Sequence, residues 1–172
     1  MKRLFIWAAC AAAALGHSYT AQAAGLEFGV GHTSESTMTY RLGLKSDWDK
    51  SWLQSSVGRL TGYWDGAYTY WEGDKSSASS SLSFSPVLVY EFAGETIRPY
   101  VEAGIGVALF SHTEVERNRL GTAFQFEDRI GFGVRFPGGH EVGIRATHYS
   151  NAGISSTNDG VESYAVHYTM PL

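Results

Sequence analysis

From about residue 25 to the C-terminus, apolar and polar residues alternate with a period of two, and no other feature restricts the fold so strongly. Segment 37–49 places Met38, Tyr40, Leu42, Leu44 and Trp48 on one face, against Thr39, Arg41, Gly43, Lys45 and Asp47. Segment 97–112 sets Ile97, Val101, Ala103, Ile105, Val107 and Leu109 against Arg98, Glu102, Gly104 and Gly106. The pattern recurs in segments 25–34, 57–71, 80–92, 122–136, 140–150 and 162–171, which makes eight strands. Each reaches the length of about 9–11 residues that a tilted strand needs to cross a bilayer. An even number of such strands closes into an antiparallel barrel.

Parity alone does not say which face points outward. A soluble eight-stranded ligand-binding barrel puts its apolar face inside, and a membrane barrel puts it outside. The polar face carries Arg41, Lys45, Arg59, Arg129, Arg135 and Arg145 together with Glu27, Asp65, Glu91, Glu102 and Glu127. Both signs together suit a paired, side-chain-filled polar interior with no channel. Aromatics near strand ends (Trp48, Trp64, Trp71, Tyr100) read as interfacial girdles, and the chain ends on an alternating Tyr168, Met170, Leu172 pattern. The expectation is an all-β, eight-stranded antiparallel transmembrane barrel. Short turns are expected at one end, at 93–96, 137–139 and, less clearly, near 49–56. Longer polar loops (72–79, 113–121, 151–161) lie at the other end, where only the tight hairpin at 34–36 breaks the rule. Short turns and both termini belong in the periplasm, and long loops belong outside.

The N-terminus fits export. Lys2 and Arg3 precede an apolar run from Leu4 to Leu15, and Ala21-Gln22-Ala23 forms an A-x-A cleavage site. The run is too short to span a bilayer as a helix. Residues 1–23 are therefore expected to be removed, leaving 24–172 as an outer-membrane domain of a Gram-negative-type bacterium. Cys10, the single cysteine, leaves with the leader, so the mature chain forms no disulfide. Lys2 and Arg3 leave too, while all 17 Asp+Glu stay, which moves the net charge from −4 to −6. That balance argues against a nucleic-acid partner, which needs a basic patch.

In such a barrel the informative residues are polar ones on the lipid face. On segment 140–150 the apolar parity of Val142, Ile144 and Ala146 continues to His148 and Ser150. On the last segment the parity of Tyr164, Val166 and Tyr168 extends back to Glu162. The two segments are hairpin neighbours, so the three residues gather at the loop end, level with the outer leaflet. Serine, histidine and a carboxylate can carry out nucleophilic hydrolysis: His148 takes the Ser150 proton and Glu162 orients the imidazole. The bland alternative is strand-end polarity meeting lipid headgroups. Asp128 shares the outward parity of Ile130 and Phe132; it is a supporting partner, a rival acid, or turned inward by a bulge. His32 reads as interfacial. Lys75, Arg117 and Arg119 could meet phosphates but read first as solvated loop charge.

The block His148-Tyr149-Ser150-Asn151-Ala152-Gly153, followed by Asn158-Asp159-Gly160-Val161-Glu162-Ser163-Tyr164, resembles the lipid A 3-O-deacylase family (PagL). So do the stretches 38–44, 58–65 and 126–131, and the likeness covers essentially all of 24–172. The terminal Leu172, where outer-membrane barrels more often end in Phe, is a mild departure. The resemblance implies an esterase site on the outer barrel wall, with Ser150, His148 and Glu162 as its triad. It places Asn151, Gly153 and Asn158 where oxyanion-stabilising groups are expected, and leaves open which of them donates. The implied reaction hydrolyses the ester at the 3-position of lipid A and releases a 3-hydroxy fatty acid, with no metal or cofactor. The expected partners are lipopolysaccharide as substrate and the surrounding membrane lipids; a homodimer stays open. Two other readings share the fold: a non-catalytic structural or adhesive barrel, and an acyltransferase acting on lipid A.

Overall fold

The computed structural model describes residues 24–172; the expected leader, Cys10 included, lies outside the described residues. Eight strands form a closed meander: β1 (Ala24–Thr33), β2 (Met38–Asp47), β3 (Gly58–Trp71), β4 (Ser79–Phe92), β5 (Arg98–Phe110), β6 (Phe124–Arg135), β7 (Glu141–Ser150) and β8 (Val161–Pro171). Every strand pairs antiparallel with its sequence neighbours, and β1 pairs with β8 to close the barrel. The expected segments agree with these bounds to within two residues at each end. Closure leaves the barrel without an edge strand; among the described residues the β4–β5 ladder is broken only at Ser85-Pro86 opposite Ile105-Gly106.

The faces settle the direction that parity left open. Leu42, Phe84, Ile105, Ile130, Phe132 and Val166 are exposed, while Glu27, Asp65, Glu102, Glu127 and Arg129 are buried. A soluble ligand-binding barrel would show the reverse, so that alternative is overturned. Charges fill the middle of the barrel. Arg145 donates from Nη1 to Glu27 Oε1 and from Nε to Glu102 Oε1, both at 2.7 Å. Arg129 bridges Asp65 (2.6 Å) and Glu127, and Arg41 also reaches Asp65. Below them Lys45 Nζ donates to Glu141 Oε2 at 2.5 Å. Buried charges that lack a partner cost several kcal/mol, so this two-signed packing is what lets the interior hold them.

Three expectations need correction. Trp71 and Tyr100 are not girdle residues; they are 1 % and 3 % exposed and face inward. Trp71 packs with Phe110 and Tyr149 in an apolar plug at the long-loop end, and Tyr100 joins Tyr63, Val87 and Val89 in a second apolar layer. The interior is thus layered, apolar and ionic by turns. Secondly, the connection between β2 and β3 is no short turn. It spans 48–57 and folds back on the wall: Trp48 N donates to Gly62 O (2.8 Å), and Trp52 pairs with Leu60. The Trp48 ring lies where a Gly62 Cβ would stand, and stacks edge-on to Trp64 at 5.7 Å. Thirdly, no bulge turns Asp128 inward. The β6 ladders to β5 and β7 run without interruption through it, and Asp128 is exposed.

Candidate active site

The ladder brings the outward polar residues into one row. His148 on β7 stands opposite Asp128 on β6 and opposite Glu162 on β8. Ser150 lies two residues beyond His148 on the same face, opposite Phe126. Two residues of strand separate Cα atoms by about 6.6 Å, within the span of an imidazole and a hydroxyl.

His148 Nδ1 donates to Glu162 Oε1 at 3.0 Å. Bonding through Nδ1 leaves Nε2 with a lone pair for a hydroxyl proton, which is the tautomer that general-base work needs. Among the described residues the Ser150 hydroxyl has no hydrogen-bond partner, so the link from His148 to Ser150 is not closed in this structure. Catalytic hydrogen bonds are often long before substrate binds. Both side chains of the pair are part-exposed, His148 at 44 % and Glu162 at 37 %. Asp128, on the other flank, has no hydrogen bond to His148.

Gly160 is a member of the site that residue chemistry alone did not single out. Its φ of +72° lies in the left-handed region, and a Cβ there would stand 2.9 Å from His148 Cε1. A side chain at this position therefore meets both backbone strain and the ring. The signal was the Asp159-Gly160 pair before the last strand. Gly160→Ala is expected to lower turnover at least about tenfold, by displacing the imidazole, while the barrel still folds. Initial rates, together with electrophoretic mobility before and after heating, check this.

The loop beyond Ser150 is built around Asn151, which is fully buried. Its Nδ2 donates to Leu120 O (2.7 Å) and Thr157 O (2.8 Å), and its Oδ1 accepts from Gly153 N (2.9 Å). Its own backbone N–H goes to Asn158 Oδ1 at 2.8 Å. The donors of Asn151, and the N–H of Gly153, are therefore already engaged, by this loop and by Leu120 of the preceding one. Asn158 accepts through Oδ1, and its Nδ2 has no acceptor among the described residues. Ala152 (φ +52°) and Gly153 (φ +83°) hold the tight turn that this clamp requires.

The loop cations face carboxylates: Lys75 and Arg117 lie 3.5 and 3.9 Å from Glu35, and Arg119 lies 3.5 Å from Asp159. The solvated-charge reading fits them. His32 donates from Nδ1 to Thr33 O (3.0 Å) and lies against Tyr164, with ring centres 5.7 Å apart.

Comparison with known proteins gives a consistent family. Residues 37–171 match the model of lipid A 3-O-deacylase (PagL). Over its full length the chain is 57 % identical to the whole of Lipid A deacylase PagL of Pseudomonas aeruginosa. Over 60 % of the chain it is 37 % identical to 58 % of Lipid A deacylase PagL of Bordetella bronchiseptica. The crystal structure of the outer membrane enzyme PagL, 59 % identical, superposes with a TM-score of 0.84 over 86 % of this chain and 99 % of that one. A de novo designed transmembrane β-barrel, 13 % identical, shares the fold alone, with a TM-score of 0.53 over 91 % of this chain and all of that one. Fold, wall polarity and sequence converge on one assignment: the chain belongs to the lipid A 3-O-deacylase (PagL) family.

Proposed function

We propose that this protein is an outer-membrane serine esterase that removes the 3-O-linked acyl chain of lipid A. The observation that carries the reading is the Nδ1–carboxylate bond between His148 and Glu162 on the lipid-facing wall, two residues from the Ser150 hydroxyl, which has no hydrogen-bond partner among the described residues. Similarity to proteins named lipid A deacylase supports the substrate. The site sits at the long-loop end of the barrel. With both termini periplasmic, that end faces the outer leaflet, where lipid A resides.

In this mechanism Ser150 Oγ attacks the ester carbonyl while His148 Nε2 takes its proton. Glu162 holds the imidazole in the right tautomer and stabilises the imidazolium that forms. The negative oxygen of the tetrahedral intermediate accepts from Asn158 Nδ2; Asn151 and Gly153 hold the loop that aims it. Loss of one such donor typically costs about 2.7–4 kcal/mol. The sugar alcohol leaves with the His148 proton, and an acyl-enzyme remains. Water, deprotonated by the same imidazole, then releases the 3-hydroxy acid and regenerates Ser150. Substrate arrives laterally through the leaflet, so a wall site needs no deep cavity.

The assignment of Glu162 over Asp128 follows from the hydrogen bond. Glu162→Ala is expected to cost at least about a hundredfold in the release of 3-hydroxy acid from lipopolysaccharide, and Asp128→Ala much less. Loss of activity in Asp128→Ala with full activity in Glu162→Ala would reverse the acid. Leader removal after Ala23 is part of the same proposal. The intact mass of protein recovered from outer membranes should correspond to 24–172, and retention of 1–23 would contradict it.

A further inference from the structure

The Glu162 carboxylate has two oxygens, and His148 uses only one. The other, Oε2, accepts a hydrogen bond from Ser34 Oγ at 3.0 Å. Ser34 lies in the tight β1–β2 hairpin, which joins the site only because β1 and β8 close the barrel. The two chains are tied again beside the carboxylate, where Ser34 N donates to Glu162 O at 3.3 Å. The hairpin itself is a fixed platform. Thr33 Oγ1 accepts from the backbone N–H of Glu35 (3.2 Å) and of Thr37 (3.3 Å), and lies 2.9 Å from Thr37 Oγ1. Thr33 N–H donates to Thr37 O at 2.8 Å, and Ser36 takes a φ of +67° to complete the turn.

We propose that Ser34 is a positioning residue for the reaction: it pins the free oxygen of Glu162, so that Oε1 is held on His148 Nδ1. This rests on the triad reading given above. The physical need is specific. The terminal torsion of a glutamate is broad and roughly two-fold, so one hydrogen bond does not fix the carboxylate plane. Glu162 is also part-exposed at a headgroup boundary, where water and lipid donors compete for it. A second donor from a rigid hairpin removes that freedom. Without it Glu162 samples orientations that leave the imidazole unsupported while proton transfer is under way. Ser34 makes no hydrogen bond to Ser150 or His148, so its hydroxyl reaches the site through Glu162.

The test compares release of 3-hydroxy acid from lipopolysaccharide by wild type, Ser34→Ala, Ser34→Thr, Ser34→Val, Glu162→Ala and the Ser34→Ala/Glu162→Ala double variant. Heat-dependent electrophoretic mobility verifies that each barrel is folded. Ser34→Ala is expected to lower kcat roughly 3–10-fold, the scale of the net contribution of one ordinary hydrogen bond at a part-exposed site, with KM changed less than about twofold. Thr and Val have the same shape, so Ser34→Thr retaining activity while Ser34→Val loses it isolates the hydroxyl even where alanine loosens the hairpin. In the Glu162→Ala background, removing the Ser34 hydroxyl should cost less than about twofold more. An unchanged kcat in Ser34→Ala, equal activity of the Thr and Val variants, or the same loss with and without Glu162 would each overturn the proposal. Full activity of Glu162→Ala alone would instead break the triad reading, and the single variants separate the two failures.

Discussion

Ser150→Ala should abolish deacylation, with a loss of at least about 10³-fold in kcat, while leaving the barrel as stable as before. The expectation has two parts because the structure separates them. Covalent catalysis has no route without the hydroxyl, and removing a triad nucleophile costs several orders of magnitude in enzymes of this logic. Yet the Ser150 hydroxyl bonds to nothing among the described residues, and the strand that carries it keeps its full ladder to β6 and β8. Alanine there removes one polar atom from an interface and leaves no buried group unsatisfied. Rates of fatty-acid release, paired with urea unfolding in detergent, measure both halves. Loss of activity together with collapse of the barrel would mean that Ser150 is structural.

Arg145→Ala should do the opposite and destabilise the fold by about 3–5 kcal/mol, the usual cost of removing one partner of a buried ion pair. The Arg145 side chain is 4 % exposed, and it donates from Nε to Glu102 and from Nη1 and Nη2 to Glu27, at 2.7–2.9 Å. Without it, two carboxylates at 0 % exposure are left with Arg41 and the His167 ring (3.3 and 3.5 Å from Glu27) and the Tyr63 hydroxyl (2.7 Å from Glu102). Arg117→Ala is the control: that side chain is 70 % exposed and 3.9 Å from Glu35, so its loss should change stability by no more than about 0.5 kcal/mol. Unfolding midpoints by tryptophan fluorescence distinguish them. Equal midpoints for the two variants would contradict the ionic core.

Alternation makes most of this legible in the sequence, because a strand that crosses a bilayer must sort its side chains by face. Parity also places the two aromatics that composition misassigns. Trp71 shares parity with Asp65 and Thr69, and Tyr100 with Glu102, so both belong inside, although aromatics near strand ends suggest a girdle. The outward placement of His148, Ser150 and Glu162 followed from parity in the same way. What sequence could not supply was register between distant strands. Ser34 and Glu162 are 128 residues apart and meet through barrel closure. The Asn151 amide is held by the Leu120 carbonyl, 31 residues away in a different loop, a contact that strand parity does not predict. Gly160 depends on a ring that arrives from the neighbouring strand.

The central claim is that a hydrolytic site lies on the lipid-facing wall and acts on lipid A. The most direct measurement is mass spectrometry of lipid A from cells producing the wild-type protein or Ser150→Ala. The account predicts a species lighter by one 3-hydroxyacyl group with the wild type, and unmodified lipid A with the variant. Unchanged lipid A with a folded wild-type barrel, or a species heavier by an acyl chain, would contradict it.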